Sequence, residues 1–555
     1  MRGWILGAAV LCAWAVLASS CSEEPPAIER VIIDGNQFSN QVRQGVGPIS
    51  LVVTGRGLQY VESAFLEDLQ ATVRAGVPDG GVTVDTVIPH GTLPGVRDLT
   101  LTLSDNRPIL TRSAVVEVTT IRATTQGNDM VGLGTPEHPF RSLTHALGLS
   151  STGDEVELGA GTYGLVNGER WPSENGSPPN FSVANVPDGV IIKGAGSAVT
   201  ALDGSGLLGS AAALIFNGGG AVEGMTLTGP FHRGILAGRG LVNVTDVSVS
   251  GCAAEGALAY AAATLRLAGS GMSGCATGLR ALGSSTLDVT NSNFTGNSVG
   301  VEFDDSSHGT MNGAGVSSNT GAGIIVASRG DITLTNITVD QNGQGAVEGS
   351  SGIYVTGVPN QLHLVTGTLS RNAGSGLHAK GGVVEVITMT VTQNGLDGVT
   401  LDGAAQALLD RAGLSRNGRD GVRVTAAAST SLDIQASTLS NNTGSGATIN
   451  AGSTTIRSST VDSNGLHGLR VTGLAALALP WTPGSDPQAD VISIPPGSIN
   501  ACLQDERTAG APSLVSVVHA SLNGVTIPTG LVAGPVDARP QYRIANSGNQ
   551  ISFSQ

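Results

Sequence analysis

The chain has 555 residues, among them 80 glycines but only nine Phe, four Trp and five Tyr. Glycine at about twice its usual share, with no strict third-residue repeat, excludes collagen, and 40% apolar with 13% charged residues excludes a charge-driven disordered chain. Lys+Arg 28 against Asp+Glu 43 gives a net charge of −15, with Lys193 and Lys380 the two lysines, so there is no basic footprint for nucleic acid.

The leader comes first. Arg2 precedes the apolar run from Ile5 to Leu17, which is too short to cross a bilayer and fits an export signal over 1–20. The small residues Ala18, Ser19 and Ser20 ending at Cys21 resemble a bacterial lipobox. That resemblance implies that Cys21 becomes the lipid-bearing first residue, with 21–26 as a tether and the lipid as the sole membrane contact. It also implies a place in the cell envelope, at the outer membrane or cell surface, since Ser22 follows the cysteine.

Residues 27–121 carry short alternating runs, such as Ile49 to Thr54 and Leu99 to Leu103, between glycine, proline and aspartate clusters. Such runs predict a small antiparallel β-sandwich. "LVVTGRGL" with "PGVRDLTLTL" resembles the immunoglobulin-like IPT/TIG family, which implies a spacer or binding module.

The segment 122–165 changes character. "GNDMVGLGTPEHPFRSLTHALGLSSTGDEVELGAGTY" resembles the entry segment of right-handed parallel β-helix proteins. Phe140, Leu143, Ala146 and Leu147 fall on one helical face, predicting a helix near 141–149 that covers the open end of a strand stack.

From about 186 the chain repeats. A glycine followed by an apolar–any–apolar triplet recurs at Gly234, Gly256, Gly278, Gly300, Gly323, Gly352, Gly376, Gly398, Gly421, Gly446 and Gly468, at intervals of 22 to 29 residues. A steady period of this size marks a solenoid. No part of the repeat has helical periodicity, and valine, isoleucine, threonine and alanine share the apolar sites, so the expected fold class is all-β, a parallel β-helix over 122–473 behind the sandwich, and the resemblance of the entry segment implies that it is right-handed. Residues 474–555 lose the pattern and are expected to add irregular coils and close the far end.

Residues two apart in a strand face the same side. The first and third positions after each glycine, such as Leu377 and Ala379 or Val399 and Leu401, are apolar throughout and predicted to point inward. Asn297, Asn319, Asn342, Asn372, Asn394, Asn417, Asn442 and Asn464 keep the same period and predict an asparagine ladder at a tight turn, tolerant of left-handed backbone. Cys252 and Cys275 take the ladder position in earlier coils, either as a disulfide or as two buried thiols.

The second and fourth positions are predicted to face outward. One cluster there carries chemistry: Tyr354, His378 with Lys380, Asp397 with Asp402, and Asp420 with Arg423. Its layout resembles parallel β-helix polysaccharide lyases. The resemblance implies Lys380, His378, Asp402 and Asp397 as catalytic residues and Tyr354, Arg423 and Asp420 as binding residues. It implies proton abstraction beside a sugar carboxylate, with Ca²⁺ as the one cofactor such a lyase could call on. The alternative is a surface salt-bridge ladder worth little. "VEFDDSSHG", with Asp304, Asp305 and His308, faintly resembles the acidic pair and histidine of polygalacturonase-type enzymes but lacks their other motifs. No metal-ligand motif, Walker loop or Cys-x-x-Cys pair is present, so no metal site is expected.

Two functions follow as expectations. One is an exported, lipid-anchored surface protein presenting a long β-helix face for binding, with glycan as its partner. The other is a carbohydrate-active enzyme, a polysaccharide lyase or glycoside hydrolase acting on extracellular polysaccharide.

Overall fold

The computed structural model describes residues 24–479 apart from short internal stretches, the longest being 170–181, and a few short strands between 491 and 552. The export signal and Cys21 lie outside the described residues. The chain forms two compact units. The first runs to Arg122 and takes in 127–140 and 149–155; the second holds the rest.

The first unit is a sandwich-like sheet of eight strands. In chain order they are β1 (Ala27–Ile33), β2 (Gln41–Arg43), β3 (Val46–Arg56), β4 (Val61–Leu66), β5 (Leu69–Ala75), β6 (Val82–Ile88), β7 (Gly95–Leu103) and β8 (Leu110–Thr119). Their order across the sheet is β1-β3-β6-β5-β4-β7-β8-β2. The alternating runs put Leu51 and Val53 of β3 and Leu99 and Leu101 of β7 fully inside one apolar core. β2 breaks the antiparallel pattern by pairing parallel with β8.

The second unit is a right-handed parallel β-helix. It opens with a helix, α1 (Leu143–Gly148), whose Leu143, Ala146 and Leu147 are buried. The buried Glu169 carboxylate accepts from the Leu143 and Thr144 backbone N–H groups at 2.6 and 3.2 Å, satisfying donors that a helix start leaves open. The first coil follows, where Tyr163 is fully buried and its hydroxyl donates to the carbonyls of Ala123 and Gly159, each at 3.0 Å.

Each coil contributes one strand to each of three parallel sheets. The first sheet holds the strand after the anchor glycine: Ile353 lies beside Leu377, then Val399, Val422, Ala447 and Leu469. A second sheet runs through Asp331–Asp340, Gln361–Ser370 and Val383–Thr392, and the later halves of these long strands bend into the third. The inward columns behave as their sequence predicts: Ile324, Ile353, Leu377, Val399 and Val422 have no exposed surface, nor do Phe303, Val355, Ala379 and Leu401. Each sizeable member contributes roughly 1.5–3 kcal/mol by burial.

The corners explain the rest of the repeat. Asn372 Nδ2 donates to Asn394 Oδ1 at 2.9 Å and to the Val339 carbonyl of the preceding coil at 3.1 Å, while its N–H donates to the same Asn394 oxygen at 3.1 Å. Asn342, Asn394, Asn417 and Asn442 repeat the pattern, so each amide ties three coils together. The ladder asparagines do not themselves take left-handed backbone. The residue before each does, as at Gln341 (φ 55°), Arg371 (51°), Gln393 (58°) and Arg416 (56°). The reason is that the asparagine's own N–H must point at the next coil, so the bend falls one position earlier. The anchor glycine serves a different need: a Cβ on Gly376 would sit 2.8 Å from the Gly398 carbonyl and 2.9 Å from Asn394 Nδ2. Below the ladder, Cys252 and Cys275 form a disulfide with Cα atoms 4.6 Å apart, and the Cys275 N–H donates to Asn297 Oδ1.

Beyond Leu479 the described strands Leu503–Asp505, Val515–Val517 and Ile551–Ser552 continue the parallel pairing. Val491–Ile492, Ser521–Leu522 and Val525–Thr526 form a separate three-stranded sheet, and the rest of 480–555 lies outside the described residues.

Candidate active site

The first sheet stacks Tyr354 beside His378, His378 beside Thr400 and Thr400 beside Arg423 in one outward column. This follows directly from the repeat, since all four occupy the second position after their glycine. The rings of Tyr354 and His378 meet edge to face, with centroids 5.2 Å apart. Lys380 Nζ lies 5.8 Å from the centre of the Tyr354 ring, near cation–π range. Asp402 follows one coil on from Lys380, its N–H bonded to the Ala379 carbonyl. Tyr354, Lys380 and Asp402 are half-buried. His378 and Thr400, predicted to be outward and exposed, are each only 8% exposed, so this column is much drier than a bare outer face.

Asp397 and Asp420 lie at the edge of that group. Both precede the anchor glycine, at the corner where the first sheet begins, and each is at most 5% exposed. Asp397 Oδ1 accepts from the Asp420 N–H at 3.0 Å and its Oδ2 accepts from the Thr400 hydroxyl at 3.1 Å. Asp420 Oδ1 accepts in turn from the Ser445 N–H at 2.7 Å, while Arg423 donates to its other oxygen at 3.4 Å. Burial pushes the Asp397 carboxyl up from its ordinary value, opposed by the Asp420 N–H and by Arg419. The expected cluster is therefore a face column of Tyr354, His378, Thr400 and Arg423 with Lys380 and Asp402 beside it, joined at the corner to Asp397 through Thr400 and to Asp420 through Arg423.

A second constellation on the same sheet was not singled out from the sequence. Arg280 Nη2 donates to Asp304 at 2.6 Å, its Nε lies 3.3 Å from Glu302, and its Nη1 lies 3.7 Å from Glu255. Glu255 also accepts from Arg233 at 2.6 Å. Burial pushes the Glu302 carboxyl up, with Arg280 opposing. The available signal was that Arg280 and Glu302 share the outward position of consecutive coils.

The "VEFDDSSHG" segment is split by its own turn. Asp304 joins Arg280; Asp305 sits in left-handed backbone (φ 53°) and accepts from the Gly283 N–H at 3.2 Å; His308 goes to the second sheet. The three do not converge. Among the described residues no group of three or more His, Cys, Asp or Glu could hold a metal ion. The Ca²⁺ implied by a lyase has no cage of carboxylates there.

A family model described as a right handed beta helix region matches residues 233–363 and 347–478. Among solved structures, the chain is similar to the A-module of the Azotobacter vinelandii mannuronan C-5 epimerase AlgE4 (16% identity, 72% of this chain and 91% of that one, TM-score 0.32). It is also similar to a periplasmic alginate epimerase AlgG variant (11%, 72% and 84%, TM-score 0.33) and to the catalytic unit of a GH87 α-1,3-glucanase from Streptomyces thermodiastaticus (12%, 96% and 84%, TM-score 0.25). No curated protein matches.

Proposed function

We propose that this protein is a carbohydrate-active enzyme that acts on an acidic polysaccharide along the first sheet, by proton transfer at the sugar carbon beside a carboxylate. The single observation that carries the reading is the meeting of Tyr354, His378 and Lys380 on adjacent coils, with ring centroids 5.2 Å apart and the ammonium 5.8 Å from the tyrosine ring. These residue types supply what the reaction needs. A base takes the carbon-bound proton, an acid returns a proton to the departing glycosidic oxygen, and cations offset the sugar carboxylate. Lys380 is assigned as the base, the Tyr354–His378 pair as the acid side, and Arg423 as the carboxylate's partner. Asp397 and Asp420 are positioning residues that hold the strand starts and, through Thr400 and Arg423, the column.

The low exposure of His378 supports the reading, because charge–charge and hydrogen-bond terms act more strongly where water is scarce. The export signal and lipid anchor at Cys21 belong to the same proposal and give the enzyme an extracellular polymer to meet. The purified full chain, offered a panel of uronate polymers, is expected to release unsaturated products that absorb in the ultraviolet. Lys380→Ala is expected to lower that rate by about 10²-fold or more while leaving the unfolding midpoint in place. A wild-type chain that cleaves none of the polymers, or a Lys380→Ala variant as active as wild type, removes the assignment.

A further inference from the structure

The outward side of the second sheet carries a depression of about 380 Å³, lined by Thr264, Arg266, Asp288, His308, Thr310 and Asp331 among others. Its polar groups come from successive coils. Arg266 lies beside Asp288 and Asp288 beside Thr310, while Thr286 lies beside His308 in the neighbouring column. The Asp288 carboxylate holds Arg266 at 3.3 Å and accepts from the Thr310 hydroxyl at 3.3 Å. The Asp331 N–H donates to His308 Nδ1 at 3.3 Å, which puts the ring proton of the neutral imidazole on Nε2.

Apart from His308 Nδ1, which takes a backbone N–H of the next coil, these side chains bond chiefly to one another at the surface. Arg266 and Asp288 are about half exposed (54% and 45%), and an exposed pair of this kind adds little to stability. The ladder asparagines and anchor glycines already hold the coils in register. What remains is a concave surface where two carboxylates, a guanidinium, an imidazole and several threonine hydroxyls converge, with a volume inside the usual range for small-ligand sites.

We propose that this depression is a saccharide-binding site, separate from the Lys380 column, that holds a neutral sugar unit of a polymer. Asp288 and Asp331, two coils apart in neighbouring columns, accept from hydroxyls of successive sugar units. Arg266 and the His308 Nε2–H donate to hydroxyl and ring oxygens, and the threonines do either. Two carboxylates against one guanidinium repel a uronate, a sulfate or a phosphate, so the preferred unit carries no negative charge. Spread over four coils, the polar groups span about 14 Å along the axis, which suits a chain of sugar units better than an isolated one. The site needs no contribution from the Lys380 column, and its test does not depend on that reading.

The full chain is titrated calorimetrically with neutral oligosaccharides prepared from xylan, cellulose and β-1,3-glucan, and with uronate oligosaccharides. At least one neutral oligosaccharide is expected to bind. Asp288→Ala and His308→Ala are each expected to weaken it about tenfold or more, and Lys380→Ala to leave it unchanged. Unfolding midpoints are recorded for every variant, and Asp331→Asn replaces any that shifts. Three outcomes overturn the proposal: no neutral oligosaccharide binds wild type, binding survives the substitutions in the depression, or Lys380→Ala abolishes it.

Discussion

Asp397 shows how one side chain can serve the coil at a cost. Its carboxylate takes the Asp420 N–H and the Thr400 hydroxyl, but burial holds its pKa above the ordinary value of 3.8. A raised carboxyl favours the folded state while it is protonated. Stability is therefore lost as the pH climbs from 3.8 through the folded-state value, and the loss is complete above it. An amide avoids that cost and keeps the bonds. Its oxygen can take the Asp420 N–H, and its NH₂ can donate to Thr400, whose hydroxyl can turn to Ser375 at 2.9 Å. Asp397→Asn is expected to raise the urea midpoint at neutral pH, with the gain vanishing below the ordinary aspartate value. Urea melts across that pH range check it, and an unchanged or lowered neutral midpoint contradicts the account.

At the scale of elements, the asparagine ladder is the part that turns separate coils into one stack. Asn394 donates to the Leu369 carbonyl and to Asn417, and its oxygen accepts from both the N–H and the Nδ2 of Asn372. Removing it orphans buried groups on both neighbouring coils. Asn394→Ala is expected to cost at least about 2 kcal/mol, read as a lowered denaturant midpoint, because each unmet buried group costs roughly 1–3 kcal/mol. A loss within about 0.5 kcal/mol would mean that the neighbours re-pair. The disulfide between Cys252 and Cys275 does the same register-keeping work by a covalent route, one coil below the first ladder amide.

For the whole molecule, charge separates the two proposed sugar sites. The chain carries −15 overall, so on the proposed function a polyanion would approach against a repulsive far field and be held only at short range by Lys380 and Arg423. Raising ionic strength from ~0.01 to ~0.1 M shortens the screening length from about 30 to about 10 Å. The far repulsion is screened by this more than the half-buried contacts are. Turnover of a uronate polymer at low substrate is therefore expected to rise over that interval, while binding of a neutral oligosaccharide stays constant. Initial rates and titrations at the two salt levels check this; a uronate rate that falls steadily with salt would mean that exposed cations dominate capture.

Much of this molecule is written in one dimension. A period near 22 residues with apolar pairs after each glycine leaves little choice but stacked strands, because every coil must hide the same face against the one below. The ladder asparagines, the helix at 143–148 and the outward column of Tyr354, His378 and Arg423 were legible for that reason. Four things were not. The left-handed residue precedes each ladder asparagine, since hydrogen-bond direction decides it. Asp397 and Asp420 belong to a corner, and the Arg280 network gathers charges from separate coils, since side-chain reach decides both. The depression around His308 arises from neighbours more than 20 residues apart in the chain. Periodicity sets which residues stack, whereas burial and convergence depend on the space between columns, which exists only once the coils have closed.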